Sequence, residues 1–152
     1  MKRVEIKLNL EAVAPLLDVV KGAADDLRPT LAVAPQLPEQ DAEFADTWTR
    51  ELLQGQNSDI DFFLALFDRE FFGDGVIALE SANCEPILRA CSAVRLRLRA
   101  KHLLALGDET LETGMLPAAA MTDDQRRAFA AYVFLATLQE LIVQHLDPTE
   151  QE

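Results

Sequence analysis

Residues 94–102 read Val94-Arg95-Leu96-Arg97-Leu98-Arg99-Ala100-Lys101-His102, and whether this stretch is strand or helix decides the fold. Its strict alternation is the pattern of a half-buried strand. Against that, nothing between Pro86 and Gly107 breaks a helix, and leucine, arginine, alanine and lysine are helix formers without β-branching. A separate strand would also need a turn on each side, and the flanks offer no turn residues. The stretch is therefore read as part of a helix over about 82–106 that stops at Gly107.

That reading decides where the charges point. Residues 81–107 carry a net +4, whereas residues 1–80 sum to −9 and residues 108–152 to −7. At about 100° per residue, Ile87, Cys91, Val94, Leu98 and Ala105 form one apolar stripe. Leu96, Leu103 and Leu104 fall on other sides, as expected of a central helix. Arg95, Arg99 and His102 then share one partly buried face, while Arg97 and Lys101 point the opposite way and offer an exposed basic patch. A buried guanidinium must be paired. Either carboxylates of the acidic first half pair with Arg95 and Arg99, or those two and His102 grip an anionic ligand or partner through bidentate contacts.

Working outward, residues 4–10 alternate as a strand, with Val4, Ile6, Leu8 and Leu10 against Glu5, Lys7 and Asn9. A helix is expected over about 15–27, Pro15 standing in its first turn. Pro29, Pro35 and Pro38 mark a loop. Helices are expected over about 39–53, with Phe44, Trp48 and Leu52 in one stripe, and over about 58–72, capped by Asn57 or Ser58. The second of these holds five of the eight phenylalanines, Phe62, Phe63, Phe67, Phe71 and Phe72. Gly73-Asp74-Gly75 is a turn leading to a second strand over about 76–80, which pairs with the first. After a connector over 108–121, Thr122 and Gln125 form a capping box for a helix over about 122–146. Its apolar face runs through Ala131, Phe134, Leu135, Leu138, Leu141, Ile142 and His145. The fold class is α+β and mainly helical: about five helices around a central fourth, with a small two-stranded β element at one edge. Residues 1–152 are read as one globular domain.

A length of 152 residues with 49% hydrophobic content is enough for a core. Net charge −12 and a pI near 4.5 argue against nucleic acid and against an anionic membrane surface. Glu5, Lys7, Glu11 and Asp18 interrupt any secretory signal, and Ala128–Gln139 falls short of the roughly 20 apolar residues a bilayer demands. Two cysteines make no disulfide framework, so a cytoplasmic location is expected. On one helix Cys84 and Cys91 would stand roughly 10 Å apart, too far for a disulfide or a shared zinc. Both are read as core residues, Cys84 being the better placed for a lowered pKa. His102 and His145 lie beside apolar stripes and are read as packed residues. No Glu-x-x-His pair, zinc-protease, phosphate-loop, dinucleotide-loop or nucleophile-elbow pattern occurs, so no catalytic residue, metal or cofactor is assigned.

The order is strand, helix, loop, an acidic-aromatic helix opening with Glu43-Phe44, then a strand and a helix bearing Arg95-Leu96-Arg97-Leu98, and it closes with Ala130-Ala131-Tyr132-Val133-Phe134-Leu135 running into Leu138-Gln139-Glu140. In this the chain resembles a bacterial family of domains of unknown function, often encoded beside the adaptor of the Clp protease. The resemblance implies no activity and no catalytic residues. Its gene neighbourhood implies regulated proteolysis or a housekeeping regulatory role, and its pattern places an arginine where Arg95 stands. The functional expectation is a non-enzymatic, cytoplasmic interaction or regulatory domain with a protein partner or a second copy of itself. The alternative is a small-molecule binding domain or minor enzyme that holds an anionic ligand at Arg95 and Arg99.

Overall fold

The computed structural model describes residues 2–35, 42–106 and 121–146. The 108–121 connector (but for Met121), the helix stop at Gly107 and the first residues of the helix expected at 39 lie outside the described residues. Strands β1 (Arg3–Lys7) and β2 (Val76–Glu80) pair antiparallel, with Arg3 opposite Glu80 and Lys7 opposite Val76. Their inward side chains, Val4 and Ile6 with Ile77 and Leu79, join the core, which explains the period-two pattern. Beyond the pair, Leu8 N–H donates to the Gly75 carbonyl at 2.7 Å. This close approach needs glycine: φ at Gly75 is +74°, and a Cβ there would lie 2.6 Å from the Leu8 oxygen.

Helix α1 (Leu10–Asp26) starts well before the expected residue 15. The Asn9 side chain caps it by accepting from Ala12 N–H at 3.2 Å. Pro15 therefore stands inside the helix instead of in its first turn, where its missing N–H removes one bond to the Glu11 carbonyl.

The two helices expected at 39–53 and 58–72 are not observed. Instead α2 runs unbroken over Ala42–Leu64, and a short α3 covers Arg69–Asp74. Asn57 caps nothing; its side-chain amide donates to the Arg28 carbonyl at 3.0 Å, across the chain. The real break comes later, where Asp68 accepts from Phe71 N–H at 2.9 Å and caps α3. Phe67 lies in that break and joins the two helices through edge-to-face contacts with Phe63 (5.4 Å) and Phe71 (5.1 Å). Phe63 and Phe71 are buried, whereas Phe62 and Phe72 are exposed.

Residues 94–102 are helical. Helix α4 (Cys84–Leu98) passes into a π turn at Arg99–Leu103 and a tight 3-10 turn at Leu104–Leu106. Ile87, Cys91, Val94 and Leu98 are buried as one stripe. Helix α5 (Asp123–Leu146) opens with the expected box: Gln125 N–H donates to Thr122 Oγ1 at 3.1 Å, and Thr122 N–H donates to Gln125 Oε1 at 2.9 Å. By length and composition alone α5 could cross a bilayer, a test that core helices also pass. Here Ala128, Ala131, Leu135, Leu138, Ile142 and Leu146 face the core, and His145 is exposed instead of on that face. Helix α4 is central, packing on α2, α5 and α1, so the fold is mainly helical α+β.

Candidate functional site

The basic stretch splits between two neighbours. Arg95 turns to α5 and, among the described residues, meets no carboxylate. Its Nη1 donates to Gln139 Oε1 at 2.7 Å and its Nη2 to the Tyr132 hydroxyl at 3.1 Å, with the guanidinium carbon 4.5 Å from the Tyr132 ring centre. Gln139 holds the arrangement by donating to the Leu88 carbonyl (2.9 Å) and to Ser92 Oγ (2.8 Å). Arg95 Nε alone is buried without a partner among the described residues. The expected ion pairs for Arg95 are thus replaced by neutral acceptors and a cation–π contact.

Arg97 and Lys101 do not form a free basic patch. Both turn to α1 and share Asp26, at 3.4 and 2.9 Å. The Lys101 ammonium and the Arg97 guanidinium hold the Asp26 carboxyl below its ordinary range. Arg99 is half-buried. His102 is half-buried and, with Arg97 and Lys101, lines a cavity of about 210 Å³ between α1, the π turn and the first turns of α5. Of the three residues expected to bind together, only His102 lines this cavity.

A larger groove of about 600 Å³ lies between α2, α4 and residues 31–33. Leu31, Val33, Leu52, Leu88, Ala93 and Leu96 give it an apolar lining. At one margin Arg89 grips Asp59 with two parallel bonds of 2.9 and 3.0 Å. From Leu52 the apolar surface continues along α2 through Trp48 and Phe44, at four-residue spacing. These three side chains are 38%, 42% and 53% exposed, and the Phe44 and Trp48 rings stack at 6.1 Å. Val33 and Leu96 are exposed beside them.

Such a surface can bind apolar side chains. Ser92 accepts from Gln139 and is hydrogen-bonded to no base among the described residues. Both cysteines are buried, and burial pushes the Cys91 thiol up to about 12, against a smaller opposing effect of Arg95. Cys84 Sγ donates to the Ser81 and Leu146 carbonyls. Among the described residues, no group of three His, Cys, Asp or Glu side chains could hold a metal ion. Reading the sequence identified the Phe44–Trp48–Leu52 stripe as a helix face but missed that its side chains are exposed. It also missed Gln139, whose amide within an apolar stretch of α5 was the available signal.

The family model described as "Domain of unknown function (DUF2017)" matches residues 10–146. Neither a curated protein nor a solved structure matches the chain.

Proposed function

The chain belongs to the DUF2017 family, and from that premise we propose that it is a non-enzymatic interaction domain whose α2–α4 groove receives an apolar, basic helical segment of a partner protein. The carrying observation is that Phe44, Trp48 and Leu52 are exposed on one helix face that runs into an apolar groove. Monomeric proteins rarely leave contiguous apolar area of this kind without a use, and tryptophan is enriched where binding energy concentrates. Spacing of four residues suits a helix laid along the groove.

Charge chooses the partner. Glu43, Asp46 and Glu51 are exposed on α2 beside the stripe, with Arg50 the opposing cation, and the whole chain stands at −12. A segment carrying lysine or arginine around its apolar positions is complementary, and an acidic one is repelled. Nucleic acid and anionic membranes are disfavoured on the same ground. A cytoplasmic, regulatory setting fits two buried, unbridged cysteines.

Trp48 is the only tryptophan, so its fluorescence reports the groove directly. Titration with an amphipathic Leu/Lys helical peptide should shift its emission to the blue and saturate. A peptide of equal charge with serine in place of leucine should do neither. Leu52→Asp should melt like the parent, because the side chain is already exposed, and should weaken binding by about tenfold or more. Unchanged emission, or equal binding by Leu52→Asp, overturns the reading. So does light scattering that shows a dimer dispersed by Leu52→Asp, since a second copy would then cover the face.

A further inference from the structure

The cavity of about 210 Å³ beside the π turn shares no lining residue with the groove. Helix α1 presents Asp18, Gly22 and Asp26 to it at four-residue intervals, one face with a carboxylate at each end and a gap in the middle. Glycine inside a helix is destabilising relative to alanine. Packing does not demand it here, because a Cβ on Gly22 would meet nothing within 4 Å. The space it leaves belongs to the cavity.

Opposite stand Arg97, Lys101 and His102 from α4 and its π turn, and Asp124 and Arg127 from α5. A π turn carries an extra residue, so adjacent side chains subtend a smaller angle, and Lys101 and His102 reach the same cavity. Asp26 takes Arg97 and Lys101. The side chains of Asp18, Asp124, Arg127 and His102 make no hydrogen bond or ion pair among the described residues, although they line one small space.

We propose that this cavity binds a small zwitterion of the α-amino acid class. Its ammonium lies between Asp18 and Asp124, and its carboxylate accepts from the Arg127 guanidinium and the His102 imidazole. A simple anion would face three carboxylates, Asp18, Asp26 and Asp124. A simple cation would face Arg97, Lys101 and Arg127. Only a molecule bearing both signs is matched on both sides.

The test is a thermal melt of the full chain with L-serine or L-alanine, with acetate, methylammonium and inorganic phosphate as single-charge arms. At about ten times its dissociation constant the amino acid should raise the melt by about 3 °C. The single-charge arms should leave it level. Gly22→Leu should melt at or above the parent, leucine being the better helix former, and should lose the amino-acid shift because its side chain fills the space. Should Gly22→Leu fail to fold, Asp18→Asn, an exposed substitution, should weaken binding by about tenfold. Trp48 emission should not respond to the amino acid, which keeps this result separate from the groove. No shift with any amino acid, an equal shift with acetate or phosphate, or a full shift in folded Gly22→Leu or in Asp18→Asn overturns the proposal.

Discussion

Gln139 shows how one uncharged side chain can organise a charged one. Its carbonyl accepts from Arg95 while its amide nitrogen donates to the Leu88 carbonyl and to Ser92. Gln139→Ala leaves Arg95 Nη1 short of a partner in a half-buried site and removes the second bond to the Leu88 carbonyl, which keeps its helical one. The expected loss is about 1–3 kcal/mol, read as a melt lowered by several degrees. Gln139→Glu should be destabilising too. It adds a carboxylate to Arg95, but loses both donors and sets an anion against the Leu88 carbonyl. A Gln139→Glu variant melting above the parent would mean that Arg95 wants charge and that the two donated bonds contribute little.

Within the elements, Asn57 is the position where local and distant demands diverge. Asparagine is a good cap, yet here it sits inside α2 and holds the turn that follows α1. Arg28 Nη1 donates to the Asn57 backbone carbonyl (3.3 Å) and to its Oδ1 (3.4 Å), and the Asn57 amide returns a bond to the Arg28 carbonyl. Gln56 completes the clasp by donating to the Leu27 and Thr30 carbonyls, both at 3.0 Å. Asn57→Ala should therefore keep the far-ultraviolet dichroism of α2, alanine being the best helix former. It should lower the melt by an amount worth about 1–2 kcal/mol. A fall in helicity would instead identify Asn57 as a cap after all. The same tie brings residues 31–33 against α2, where they line the groove.

For the whole molecule, Asp26 is the charge that joins α1 to α4. Lys101, then Arg97, lower its pKa in the folded state. A carboxyl with a depressed folded value adds stability above its unfolded pKa, and this is lost as pH falls through the folded value. Acidification also discharges a chain at −12 and relieves self-repulsion, which acts the other way. Comparison with Asp26→Asn cancels that background. The parent should melt higher than the variant near neutral pH, and the two curves should converge as the pH drops below the ordinary carboxylate range. A gap that persists at low pH would mean that Asp26 acts through packing and not through its charge.

Much of the fold was legible because the signals are local. Alternation marked β1, a turn at Gly73-Asp74-Gly75 marked the start of β2, the absence of breakers made 94–106 helical, and Thr122 with Gln125 placed the start of α5. Period, propensity and capping depend on residues within about four positions. What only the tertiary structure decided depends on neighbours far away in the chain. Asn57 became a brace because Arg28 lies across from it, 29 residues earlier. Arg95 found Tyr132 and Gln139, 37 and 44 residues later, where a carboxylate was expected. Arg97 and Lys101 turned to Asp26, 71 and 75 residues away, and ceased to be a free patch. The exposed face at Trp48 and the mixed-charge cavity at Gly22 have the same origin. A helix face is written in the sequence, but whether another helix covers it is settled only when the helices pack.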